Sequence, residues 1–477
     1  MVLKQKSLHR HFQFLSENPF TYEFIAGFLA FTMYIPEQVA SVSSRHLAVA
    51  FNIPKETTGI YFSKLFSLRA LVLLLGSLAV YIFKWFISDD NIFFTLLFFT
   101  LLVISRFIIL VLFYFCKNLA LGFYNIFIIE ALFLGLFQLT FFTLTPEYVS
   151  LLSLCFKISK ISVFLIQLSM DFTSYNSPFL MVKVHFSIIF VISFFSIFMW
   201  FFYCVNYTTF KRKSMQTHTN NEVIENPYKY SVNCTTKSKE IEFFTNEPDL
   251  EREPGFFKQL RNSISPFMMC LVSIMLKNTI SPGVLPYALL DRDKCHKINM
   301  AIIPMGLLGA FAVHFLKIKV KSINEKWKWQ WHLTWLFIIP CVVIFIITFA
   351  ALHSDGALSR AIINSQRSVL WMAVFFFFCF AFVESLGYLG VVSIVKHNGR
   401  VYGNGLKVVS TNQFVGYVTG FLFYKISVGY NVTRSFATIP PETEDSFIRF
   451  LFWIRESING AFRDFIKDFH MNIKEYI

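Results

Sequence analysis

Apolar blocks of transmembrane length recur from one end of this sequence to the other, and no other feature constrains its fold as strongly. A bilayer core about 30 Å thick needs roughly 20 apolar residues in a helix to cross it. Blocks of that size fall at 22–50, 67–88, 92–116, 118–143, 148–171, 183–206, 264–288, 298–320, 332–353, 367–395 and 406–429. A soluble chain of 477 residues, 55% hydrophobic and only 15% charged, would lack the polar surface to cover its core. The expected fold is therefore an all-α integral membrane protein of about eleven transmembrane helices. Phe supplies much of the apolarity, with 62 residues. Runs such as Phe375 to Phe378 read as compositional drift that lipid tolerates rather than as a binding box.

One long hydrophilic segment, 207–262, divides the blocks six and five. The expected organisation is an N-terminal six-helix bundle (1–206), a flexible cytoplasmic linker (207–262), a C-terminal five-helix bundle (263–430) and a tail (431–477). Lys4, Lys6 and Arg10 precede the first span, Lys211 to Lys213 follow the sixth, and Lys317, Lys319, Lys321, Lys326 and Lys328 follow the eighth. Clustered basic residues mark the cytoplasmic side, so a cytoplasmic N-terminus is expected, with the plasma membrane as location. In the tail, Phe447, Leu451, Ile454, Ile458, Phe462, Phe465, Ile466 and Phe469 recur at helical spacing. That pattern suits an amphipathic helix, either flat on the membrane or packed against the protein's own loops. The eight Cys residues form no CxxC pair, and no HExxH occurs. Neither a disulfide framework, a metal site nor a cofactor is inferred, and the chain is not expected to be an enzyme. The net charge of +14 is spread over loops, which fits membrane topology better than nucleic-acid binding.

Charge inside a span costs about 3 kcal/mol or more unless it meets a cavity or a partner. Glu37 and Gln38 follow Pro36 in the first span, Glu130 and Gln138 sit in the fourth, and Glu384 in the tenth. Arg106 lies in the third, and Lys157 and Lys160 in the fifth. Ser150, Ser153, Lys157 and Lys160 step by three, four and three, so they share one helix face. Two readings stay open: a cavity wall meeting an anionic or polar solute, or a buried ion pair such as Lys157 with Glu130 holding helices in register. Helix breakers are expected at Ser281-Pro282-Gly283 in the seventh span, at Gly306 and Gly309 in the eighth, and at Gly387 and Gly390 in the tenth. Pro282, Gly283 and Gly387 are the candidate hinges.

The six-plus-five layout resembles the equilibrative nucleoside transporter family. Gly135-Leu136-Phe137-Gln138 looks like that family's glycine–x–Phe–Gln segment, Ser281-Pro282-Gly283 its Phe-Pro-Gly break, and Glu384 to Gly390 its Asn-Gly-Tyr segment. Departures are Pro36-Glu37-Gln38 in place of Pro-Trp-Asn, Phe156-Lys157 in place of Gln-Gly, and Gly306 to Ala310 without the family's Asp and Arg. The chain also looks like the Phe-rich, Tpr-related membrane proteins of piroplasm parasites. The resemblance implies a major-facilitator-like architecture and alternating-access transport of a small polar solute, a nucleoside or nucleobase first. Glu37, Gln38, Glu130, Gln138, Lys157 and Glu384 would then be the solute-binding candidates. The alternatives are a different solute, or a diverged protein that no longer transports. Solute and membrane lipid are the expected partners.

Overall fold

The computed structural model describes residues 18–86, 92–173, 177–225, 254–281, 284–286, 288–290, 292–323, 327–353, 356–396, 401–435 and 446–470. Every described regular element is helical. In lipid a backbone N–H or C=O has no water to turn to, so each segment satisfies its own.

The first apolar block folds as three consecutive helices, α1 (Pro19–Met33), α2 (Ile35–Val42) and α3 (Ser44–Ala50). Asn18 caps α1 by accepting the Phe20 N–H at 3.0 Å. Pro36 stands in the first turn of α2, where its missing N–H costs least. The membrane-crossing part ends at Val42, so Arg45 and His46 fall beyond it. Then come α4 (Lys55–Phe86), α5 (Ile92–Phe115), α6 (Leu119–Leu144), α7 (Val149–Thr173) and α8 (Pro178–Glu225). Helix α8 continues well past the end of its apolar block at 206.

The second half opens on α9 (Phe256–Asn262) and α10 (Ile264–Ile280), bent by 66° at Ser263. It proceeds through α11 (Arg292–Lys319), α12 (Ile338–His353) behind a 3₁₀ segment Trp329–Phe337, the short α13 (Ala357–Ile362), α14 (Gln366–Val395), α15 (Gly403–Ser435) and α16 (Ser446–His470). Among the described residues, nine spans are long and apolar enough to cross a membrane, or ten with the bent α9–α10 pair counted as one. Helix α15 occupies the eleventh expected block and is long enough, but Asn412, Gln413 and Lys425 dilute its apolarity.

Two of the expected breaks are absent. Helix α11 runs on through Gly306 and Gly309, and α14 through Gly387 and Gly390. Three of these glycines serve close packing instead. A Cβ on Gly387 would sit 2.8 Å from the Pro266 carbonyl of α10, and one on Gly309 would sit 2.7 Å from the Phe378 carbonyl of α14. A Cβ on Gly390 would meet the Trp327 ring. Pro282 and Gly283 lie outside the described residues.

Buried side chains form one cluster running from Phe267 to Val409, joined by Val149 of α7, and two within residues 22–204. The outer surface is apolar: Phe93, Phe107, Phe195, Phe198, Phe311 and Phe375 are all exposed, as lipid permits and water does not. Burial separates inner from outer helices. In the first, fourth and tenth spans 61%, 67% and 61% of the apolar window is buried, against 28–39% in the other six. These three inner spans carry Glu37, Gln38, Glu130, Gln138 and Glu384.

Helix α16 runs back antiparallel along α15. Thr433 donates to the Glu456 carbonyl at 3.2 Å, Tyr430 and Trp453 have ring centroids 6.0 Å apart, and Phe421 and Phe465 have theirs 6.2 Å apart. The overlap from 421 to 433 is about 18 Å at 1.5 Å per residue. Small residues face inward at Ser457, Gly460 and Ala461, while Ile448, Leu451, Ile458, Phe462 and Ile466 face out from the bundle. The tail helix is therefore packed on the protein, but against helix α15 rather than against loops.

Candidate functional site

The break at Tyr34 sets the middle of the first span. Around it Tyr34 meets α6, Glu37 meets Arg69 of α4, and Gln38 meets α7. Tyr34 Oη donates to Gln138 Oε1 at 2.5 Å, and Gln138 Nε2 donates to Tyr417 Oη of α15. Gln138 is therefore buried and clasped by two tyrosines from opposite halves. Gln38 turns to α7, where Ser159 Oγ donates to its Oε1 at 3.0 Å and its Nε2 reaches the Phe156 carbonyl at 3.5 Å.

Glu130 is fully enclosed. Its Oε2 lies 2.5 Å from Arg69 Nη1, and its Oε1 lies 3.1 Å from Arg106. Arg106 also donates to the Thr32 carbonyl at 3.1 Å, the Met33 carbonyl at 2.6 Å and Ser193 Oγ at 2.8 Å. It thereby holds the C-terminal end of α1, with its unpaired carbonyls, against α5 and α8. Arg69 donates to the Phe127 carbonyl at 2.7 Å, stacks on the Phe127 ring at 4.0 Å, and lies 3.4 Å from Glu37. Its Nη2 is buried without an acceptor. Glu37, with 40% of its side chain exposed, is the open end of this network. The expected pairing of Lys157 with Glu130 is not formed, because two guanidiniums already occupy that carboxylate.

Lys157 instead crosses between the halves. Its Nζ lies 3.6 Å from Glu384 Oε2 on α14 and 5.4 Å from the Phe380 ring centroid. Lys277 of α10 approaches the same ring at 5.6 Å. One turn before Lys157, Ser153 Oγ and Ser385 Oγ are 2.7 Å apart, again across the halves. Lys160, one turn after it, is exposed. Helices alternate in direction, so the start of α7 and the end of α11 share the linker end of the bundle. There Ser150 Oγ meets His314 Nδ1 at 3.3 Å, and Lys317 donates to the Glu147 carbonyl at 2.8 Å. At the same end Tyr81 Oη lies 3.1 Å from Thr411 Oγ1, and its ring stacks on Phe414 with centroids 4.6 Å apart. The halves are joined at the linker end and at mid-depth, and at the opposite end Asp464 of α16 lies 3.2 Å from Lys64 of α4.

The structure thus brings Gln138, Lys157 and Glu384 to contacts between halves, leaves Glu37 half open and Gln38 beside α7, and encloses Glu130. Sequence reasoning missed Arg69, Lys277, Tyr34 and Tyr417. Arg69 stands near the start of its block, where a basic residue reads as a membrane-end marker. Lys277 was legible as a charge inside the seventh block. The tyrosines carry no such signal in a chain this rich in aromatics.

No family model matches the sequence, and no curated protein does. Solved structures do match. The major facilitator superfamily proton:xylose symporter XylE, bound to 6-bromo-6-deoxy-D-glucose, aligns over 93% of this chain and 94% of its own, with a TM-score of 0.57 and 11% identity. FucP, a major facilitator superfamily transporter in the outward conformation, aligns over 93% and 99% at a TM-score of 0.49 and 11% identity. The fold is that of the major facilitator superfamily. This corrects the resemblance to equilibrative nucleoside transporters, and with it the Tpr-related reading. The strings behind that resemblance are rich in glycine, and the described ones, Gly135, Gly387 and Gly390, are explained by packing. Gly135 faces the α4 backbone at Leu73 and Ser77, while Gly387 faces α10. Close helix crossings select small residues in any membrane bundle, so such strings do not single out one family.

Proposed function

We propose that this protein is an alternating-access carrier of a small polar solute. The supporting observation is the polar layer at mid-depth, where Lys157 of one half faces Glu384 of the other between mostly apolar spans. Intramembrane ionisable residues are expensive and mark solute paths, and this layer lies where two helix bundles meet. Glu37, Gln38, Gln138, Lys157 and Glu384 would contact solute as the halves part. Glu130 would anchor Arg69 and Arg106 behind them. The basic residues flanking the bundle support a cytoplasmic N-terminus and linker, in the plasma membrane.

The test is solute counterflow in liposomes holding the purified chain, with labelled sugars, nucleosides, nucleobases, amino acids and carboxylates as the panel. Saturable flux of at least one solute is expected, reduced tenfold or more in Lys157→Gln. Absence of saturable flux for the whole panel, with insertion verified by protease protection, would overturn the reading.

A further inference from the structure

We propose that the solute is a small organic anion carrying a carboxylate or phosphate group, received by Lys160 and Lys277 with Lys157 as its release switch. This rests on the carrier reading above and names the class of solute for the same site.

Three ammonium groups converge on the mid-depth layer: Lys157 and Lys160 from α7, and Lys277 from α10. Lys157 and Lys277 approach the same Phe380 ring from opposite halves. Lys160 is three residues after Lys157, hence on the same helix face, and both Lys157 and Lys277 act on it electrostatically. One carboxylate lies within ion-pair distance of this group, Glu384, and it reaches Lys157 alone. The acid that acts on Lys160 is Glu37, which is held 3.4 Å from Arg69. Among the described residues neither Lys160 nor Lys277 has an ion-pair partner, so the layer carries an excess of two positive charges.

A neutral sugar or nucleoside entering here would leave that excess in place. A dianion removes it and a monoanion halves it, and the half-buried Lys157 and Lys277 gain more from a counter-charge than ammonium groups in open water would. The layer also offers surfaces for the remainder of an organic molecule. Phe380 lies between the lysines, and the Tyr388 and Tyr417 hydroxyls are electrostatic neighbours of Glu384. The resting contact supplies the switch. Glu384 now gives Lys157 its negative charge, and an arriving anion competes for the same ammonium. Lys157 released from Glu384 removes a bond between the halves, so solute binding and opening are coupled.

The experiment is thermal unfolding of the purified full chain in neutral detergent, with succinate, pyruvate or inorganic phosphate at constant ionic strength. Chloride, xylose and adenosine are the comparison probes. At least one of the three anions is expected to raise Tm saturably beyond chloride. The paired variant Lys160→Gln with Lys277→Gln should raise its half-saturating concentration tenfold or more, while Lys160→Arg with Lys277→Arg should stay within threefold. The arginine pair also covers the case in which the glutamine pair does not fold: loss of anion binding there, with the charge kept, would overturn the assignment. So would an effect no larger than that of chloride, or stabilisation by xylose or adenosine that the variants leave unchanged. Anion binding without flux in liposomes would sink the carrier reading and leave the anion site. Flux of a neutral solute without anion binding would do the reverse.

Discussion

At the scale of single residues, the strongest commitment in the molecule is the carboxylate of Glu130 between two guanidiniums. Its partners Arg69 and Arg106 are as buried as it is, so removing the shared negative charge strands two cations at once. Breaking a buried pair from one side costs about 3–5 kcal/mol. Glu130→Gln should therefore lower the unfolding temperature in detergent by many degrees, and a melt like that of the wild type would show that the network does not hold the bundle. Ser193→Ala removes only one neutral acceptor from Arg106 and should cost about 1–2 kcal/mol in the same assay. The charges themselves were legible, since Glu130 and Arg106 stand alone in apolar blocks. Their pairing was not. Helical periodicity says which face of α7 bears Lys157, but it does not say which helix lies opposite. That is decided by tertiary packing, which set α14 and not α6 against Lys157.

At the scale of elements, helix existence was legible nearly everywhere, because twenty apolar residues in lipid have few alternatives. Continuity was not. The helices run straight through Gly309 and Gly387, where a neighbouring backbone fills the space a side chain would take. Glycine in such a sequence marks either a break or a close crossing, and only the neighbour distinguishes them. The α15–α16 pair shows the second case in full. Gly429 packs against the backbone at Ser457 and Ala461, and a Cβ on Gly460 would approach the Gly429 carbonyl at 2.9 Å. Gly429→Val should pry α16 away, exposing its backbone to proteolysis after Arg455 or Arg463 under conditions where the wild type resists. A second device fixes the same helix. Asp464 accepts Lys425 of α15 at 2.9 Å and Lys64 of α4 at 3.2 Å, which ties α16 to both halves at the end opposite the linker. Asp464→Asn should destabilise by about 3 kcal/mol, and Asp464→Glu should recover most of the loss.

At the scale of the whole molecule, the two halves bury largely separate clusters, bridged by Val149 of α7, which packs into the cluster of the second half, by a stacked ring pair and by polar contacts. The joints at mid-depth and at the linker end differ chemically. Those at the linker end, around Tyr81 with Thr411 and Ser150 with His314, are hydrogen bonds and stacked rings, one of the hydrogen bonds given by the Lys317 ammonium to the Glu147 carbonyl, and none of these contacts among the described residues is an ion pair. Those at mid-depth include the charged pair on which solute would act. Ser153 and Ser385 lie beside that pair with their hydroxyl oxygens 2.7 Å apart. Cysteine is close in shape to serine, and a disulfide needs its sulfurs about 2.05 Å apart with Cα atoms roughly 4.4–6.8 Å apart. Ser153→Cys with Ser385→Cys should therefore cross-link under mild oxidation without unfolding the protein. If the halves part during transport, the oxidised double variant should lose at least nine-tenths of its counterflow, and reduction should restore it. Each single variant should transport normally in both redox states, which separates the lock from oxidation of the native cysteines. Full flux through a cross-linked protein would mean that α7 and α14 never separate at this depth, and the path of solute would then have to lie elsewhere in the bundle.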